Sequence, residues 1–303
     1  RMLEVESKAE YADVMERALY NTALAGMALD GRHFFYVNPL EVVPEKSEKD
    51  PGKSHVKTVR PEWLGCACCP PNLARLIASL DKYIYTVKPD SILVNLFIRS
   101  DIDIEREGAS IKIRQECDYP RSGKITFHAD YEGQGSIDLK VRIPSWAERY
   151  KGAVNGKETG IAQKDGYWTV TLTPGEHRID LELQIEPKRW YCNPKVSENI
   201  RRVAIARGPQ IFCAEEADNG KDLHCLYLKR DAGLACDWHD ELLEGVEVIE
   251  AQGLREAITE DGCGLYSADY KPDRTATTIR LIPYYAWANR GKGEMRVWLN
   301  EGE

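Results

Sequence analysis

Near its start the chain repeats apolar residues at intervals of three and four. Over residues 10–21 this spacing places Tyr11, Val14, Met15, Ala18 and Leu19 on one face of a helix. The helix is expected to stop near Gly26 or Gly31, since glycine readily takes the conformation that ends one. The aromatic run His33-Phe34-Phe35-Tyr36-Val37-Asn38-Pro39 reads as extended and is closed by proline, and residues 45–61, charged and holding Pro51-Gly52, read as a loop. A second helix is expected from Pro70-Pro71 through Leu80, because proline lacks an N–H that the first helical turn would leave unpaired. Residues 1–85 therefore read as mainly helical.

Beyond Tyr85 the period drops to two. Residues 91–97, 111–114, 124–128 and 137–143 read as short strands, followed by 168–172 and 179–183. Asn155-Gly156 is a strong signal for a tight hairpin turn. Another β-rich stretch starts around Trp190 and includes residues 203–209, 277–283 and 295–299. Many short strands at this spacing favour β-sandwiches. The expected division is a helical part over 1–85, a first sandwich over 86–189 and a second over 190–303.

Composition narrows the function classes. A chain of 303 residues, 43% of them hydrophobic, has ample material for more than one core. No apolar run approaches the ~20 residues needed to cross a bilayer, so no membrane partner is expected. The net charge of −8 argues against a nucleic-acid partner, which would require basic patches. Nine cysteines, an odd number with three inside four residues, fit reduced thiols and a cytoplasmic location better than a disulfide framework. The opening residues Arg1-Met2-Leu3-Glu4-Val5-Glu6 lack a signal-peptide pattern and a helix-capping residue, so the chain is expected to start inside a larger fold.

The chemistry concentrates in Cys66-Ala67-Cys68-Cys69-Pro70-Pro71-Asn72. Thiols just ahead of a helix feel its unpaired N–H groups and its dipole, which favour the thiolate. A thiolate is both a nucleophile and a zinc ligand. The same residues also fit a structural zinc site or three buried thiols, and that reading stays open on spacing alone. A tetrahedral site needs ligands from elsewhere, and His55 and Glu62 are the nearest candidates in sequence. Cys117, Cys192, Cys213, Cys225, Cys236 and Cys263 are isolated and read as small core residues. Residues 33–36 fit either a sugar-binding cleft or core packing. Glu41, Glu45 and Glu62 are candidate carboxylates by residue type only.

Taken together, residues 10–21, the run Phe34-Phe35-Tyr36-Val37-Asn38-Pro39-Leu40, the cysteine motif and the closing Ile282-Pro283-Tyr284-Tyr285-Ala286-Trp287-Ala288-Asn289-Arg290 resemble glycoside hydrolase family 127. These are β-L-arabinofuranosidases with a cysteine nucleophile, and the likeness is to the C-terminal half of the family. It implies the last helices of an (α/α)6 barrel followed by two all-β sandwich domains, the second a candidate homodimer contact. It makes Cys68 the nucleophile and, with Cys69, a Zn2+ ligand, while Cys66 and Tyr36 become candidate substrate contacts. The remaining ligands, a glutamate and a cysteine in a Glu-x-Cys element, and the acid/base glutamate would lie upstream of Arg1. The implied reaction releases β-L-arabinofuranose, or a related sugar, from the non-reducing ends of an arabinofuranoside, and this chain would be inactive without the missing N-terminal barrel half. The competing reading is a non-catalytic carbohydrate-binding or assembly module with a vestigial or structural metal site.

Overall fold

The computed structural model describes residues 2–63, 65–66, 68–258 and 265–302. The chain is mostly β-stranded with a few short helices. It divides into two compact units, one of Arg1–Leu19 with Asn72–Glu186 and the other of Tyr20–Pro71 with Pro187–Glu303.

The first unit holds two sheets. One is five-stranded and centres on Ile137–Arg142, paired antiparallel to Tyr167–Leu172 and parallel to Ser91–Val94. The other is six-stranded and runs Ser100–Arg106, Ala109–Cys117, Lys124–Glu132, Gly175–Leu183, Tyr150–Val154, Lys157–Thr159. Period-two alternation buries Ile111 and Ile113 between exposed Lys112 and Arg114. Ile92, Leu139, Val141 and Val170 of the first sheet share one core with Ile113, Phe127, Ile179 and Leu181 of the second. Asn155 and Gly156 both take positive φ, 50° and 76°, and turn Tyr150–Val154 back onto Lys157–Thr159, as the sequence predicts.

The helix Ala9–Ala18 belongs to this unit, but it does not bury the face that the apolar spacing predicts. Ala9, Ala12 and Glu16 are buried, whereas Val14 is 71% exposed and Tyr11 and Met15 are half-buried. The reason is polar. Arg142 is fully buried and is neutralised by Asp13 at 2.5 Å and by Glu16. Glu16 also accepts from the Tyr119 hydroxyl at 2.7 Å and from Trp146 Nε1 at 3.3 Å. Helical geometry persists through a π-helical turn, Leu19–Ala23, to Ala25, and Gly26 lies in the turn that ends it.

Residues 45–61 are more ordered than a loop. Pro44–Lys49 is a helix with proline in its first turn, and Pro51–Lys53 is a 3-10 turn capped by Asp50, whose carboxylate accepts from Gly52 N at 2.8 Å. The next helix, Cys69–Ala78, starts one residue before Pro70, so Cys69 lies in its first turn.

All ten described strands of the second unit form one hydrogen-bonded sheet. It closes on itself, because Arg202–Arg207 pairs with Gln210–Glu215 while the path from one to the other also runs through Arg274–Pro283, Val246–Glu256, Leu226–Lys229 and Leu299–Gly302. The layers expected from strand spacing are here the two sides of a curved sheet. Val203, Ile205, Phe212, Ile249, Ile279 and Leu281 form one core, and Phe35, Val42, Tyr284, Trp287 and Met295 belong to another. Glu41–Val42 adds to the sheet beside Met295–Arg296, anchoring the segment that follows Tyr36.

Candidate active site

Two peptide segments of the second unit carry the candidate residues. They are joined by a backbone bond from Phe34 N to Pro61 O at 3.0 Å. The extended run divides the aromatic residues between the two roles considered for it. Phe35 is 3% exposed and stacks on Trp287 with ring centroids 4.7 Å apart and 13° between planes, whereas Tyr36 is 52% exposed. Core packing therefore accounts for Phe35, and Tyr36 remains available to a ligand.

Arg60, which sequence reasoning passed over, is buried at the entry to the cysteine segment. Its Nε and one terminal nitrogen donate to Ala25 O at 3.0 and 2.9 Å, and the other terminal nitrogen donates to Trp287 O at 2.6 Å. The guanidinium carbon lies 4.5 Å from the Phe35 ring centroid. Among the described residues no carboxylate forms an ion pair with it, and burial lowers its pKa to about 10. A lone arginine before a proline gave no local signal of this role.

The three thiols converge. Cys66 Sγ donates to Cys68 Sγ at 3.6 Å, and Cys68 Sγ lies 3.7 Å from Cys69 Sγ. Cys66 and Cys68 are exposed and Cys69 is partly covered. Two thiolates at about 2.3 Å from one zinc in tetrahedral array stand roughly 3.8 Å apart, so the separation of Cys68 and Cys69 fits a shared ion. Among the described residues no group of three or more His, Cys, Asp or Glu is disposed to hold a metal.

His55 and Glu62 do not complete such a group. His55 lines a cavity of about 340 Å³ with Glu41, Lys46 and Ser47, and Glu62 is exposed. Glu41 pairs with Arg296 at 3.0 Å and Glu45 with Lys49 at 3.4 Å, which gives these carboxylates structural partners. Of the isolated cysteines among the described residues, only Cys213 is fully buried, and burial pushes its thiol well up. Cys117 and Cys236 are partly exposed but pack against the cores of their units, in keeping with their reading as small core residues. Cys192 and Cys225 are partly exposed and belong to no core cluster, which corrects that reading for them, and Cys263 lies outside the described residues. A groove of about 700 Å³ lies on the six-stranded sheet of the first unit, lined by Asp101, Arg114, His128 and Arg178 among others. Arg114 is tied to Asp101 at 2.8 Å and Arg178 to Asp180 at 2.9 Å, so this surface reads as a solvated ladder of ion pairs.

Three domain models of one family match in succession: the β-L-arabinofuranosidase GH127 catalytic domain over residues 1–82, the middle domain over 91–185, and the glycoside hydrolase family 127 C-terminal domain over 187–300. The chain belongs to glycoside hydrolase family 127, which confirms the resemblance carried by its motifs. A non-reducing end β-L-arabinofuranosidase of Bifidobacterium longum subsp. longum is 37% identical over 98% of this chain and 46% of its own length. The solved GH127 β-L-arabinofuranosidase of Geobacillus stearothermophilus T6 is 44% identical, with a TM-score of 0.94 over 99% of this chain and 48% of that one. A second solved structure, a GH127 β-arabinofuranosidase, is 32% identical with a TM-score of 0.85, covering 99% of this chain and 47% of that one. The chain thus spans about half the length of these relatives.

Proposed function

We propose that this chain is the C-terminal half of a retaining glycoside hydrolase that releases β-L-arabinofuranose from non-reducing ends, with Cys68 as its nucleophile. The observation that carries the reading is the convergence of Cys66, Cys68 and Cys69 at 3.6 and 3.7 Å beside a segment that presents Tyr36 to solvent. Family membership and the β-L-arabinofuranosidase relatives support the substrate class.

Cys68 Sγ attacks the anomeric carbon, the glycosidic C–O bond breaks, and water later displaces the sugar from sulfur with net retention. Cys69, in the first turn of Cys69–Ala78, places a second sulfur beside the nucleophile. Zinc held by Cys68 and Cys69 would supply the positive charge that keeps the nucleophile deprotonated and positioned. Cys66 and the exposed face of Tyr36 contact the sugar on this reading.

On this reading a glutamate and a cysteine that complete the ligand set, and the acid/base glutamate, come from outside this chain, which spans about half the length of its relatives. Residues 1–85 then supply the last helices of an (α/α)6 barrel, 86–189 a β-sandwich domain, and 190–303 a second β domain, built on the closed sheet, that is a homodimer contact. Turnover of an aryl β-L-arabinofuranoside by the full-length protein, compared with its Cys68→Ala variant, tests the reading. Loss of turnover by at least about a thousandfold is expected, and survival of turnover in the variant would overturn it.

A further inference from the structure

We infer that Arg60 is a positioning residue: its guanidinium holds the start of the cysteine loop and the segment carrying Tyr36 in fixed register against the turn at residues 284–287. The inference rests on Cys68 being the reactive residue of the site.

The guanidinium contacts both the aromatic segment and the turn. It lies over the Phe35 ring, one residue before Tyr36, and 5.9 Å from the Trp287 ring. It donates to Ala25 O, Trp287 O and Tyr285 O, the last at 3.4 Å. Phe35 N in turn donates to Gly26 O at 2.9 Å, so the carbonyl of Ala25 and the backbone of the aromatic segment are drawn to one place. A buried arginine that binds three backbone carbonyls and no carboxylate acts through geometry: its planar fork fixes directions that a single ammonium could not.

Its place in the chain makes that geometry matter for the thiols. Arg60 precedes Cys66 by six residues, and its neighbour Pro61 accepts from Phe34 N at 3.0 Å. A shift of Arg60 therefore moves the start of the segment that leads to Cys66 and Cys68. Displacement of a reacting group by about 1 Å can cost about a hundredfold in rate.

The test compares Arg60→Met, Arg60→Lys and Asn21→Ala in the full-length protein. Asn21 is a buried anchor of the same unit, donating to Pro209 O at 2.8 Å and accepting from Ile211 N at 2.7 Å. Arg60→Met is expected to lower kcat/KM on an aryl β-L-arabinofuranoside about a hundredfold, with Arg60→Lys recovering part of the loss. Asn21→Ala is expected to lower the melting temperature comparably while leaving kcat within about twofold of the parent. Iodoacetamide labelling of metal-stripped protein, mapped by peptide, should show an altered rate at Cys68 in Arg60→Met and an unaltered one in Asn21→Ala. Parental kcat/KM and labelling kinetics in Arg60→Met, or equal losses in Asn21→Ala, would overturn the inference. Turnover that survives Cys68→Ala would end the nucleophile reading instead, and the labelling rates would still decide the role of Arg60.

Discussion

The carboxylate of Glu16 lies buried against the guanidinium of Arg142, with side-chain exposures of 1% and 0%. Removing one member of such a pair strands the other without water, which costs more than the pair itself contributes. Glu16→Ala should therefore destabilise the first unit by about 3–5 kcal/mol in urea denaturation. A loss below about 1 kcal/mol would show that Asp13 alone neutralises Arg142.

Gly166 and Ala9 make a second close approach within this unit. Gly166 has φ of 80°, and a Cβ added there would stand 2.4 Å from Ala9 Cβ, while Ala9 N donates to the adjacent Asp165 O at 2.9 Å. Gly166→Ala combines backbone strain with overpacking and should cost roughly 2–4 kcal/mol. Chemical denaturation of the variant checks this, and Gly160→Ala, where nothing lies within 4 Å of an added Cβ, is the control expected to be near neutral.

Alkaline pH should unfold the same unit through two tyrosines. Burial raises Tyr85 and Tyr167 from about 10 to about 12. The folded state thus favours the neutral phenol. The resulting stability is fully present below pH 10 and is lost as pH rises from 10 through 12, with a slope of about 1.4 kcal/mol per pH unit for each tyrosine. Urea midpoints between pH 9 and 12 measure it, and Tyr167→Phe should remove one tyrosine's share of the slope. A flat profile across that range contradicts the assignment.

Thiol reactivity should separate the cysteines by position. Cys66 and Cys68 are exposed, whereas Cys213 is fully buried with its thiol pushed up by burial, and Cys236 is raised to about 11. Limited alkylation of the folded, metal-free protein at pH 8 should label Cys66 and Cys68 and spare Cys213. Labelling of Cys213 at a comparable rate would mean that the core around it opens.

How much of this was legible in the sequence depended on whether a feature was local. Asn155-Gly156 announced its turn because both positions need positive φ, and alternation around Ile111 and Ile113 announced a half-buried strand. The proline-started helix was placed to within one residue, since proline in a first turn is a local preference. The buried face of Ala9–Ala18 was missed because it is set by Arg142, more than a hundred residues away, and apolar spacing cannot register a buried carboxylate. At the site, the cysteine motif identified its thiols, but Arg60 takes its meaning from Phe35 and from carbonyls at Ala25 and Trp287, which only the fold brings together. The closure of the second sheet was hidden for the same reason, because strand pairing is a long-range property.

The central claim is that Cys68 bonds covalently to the sugar. Full-length protein is treated with a mechanism-based β-L-arabinofuranosyl inhibitor, digested and mapped by mass spectrometry. One added arabinosyl mass is expected on the peptide holding Cys66, Cys68 and Cys69, localised to Cys68 and absent from Cys68→Ala. A label on a carboxylate, or on any other cysteine while Cys68 stays unmodified, would contradict it.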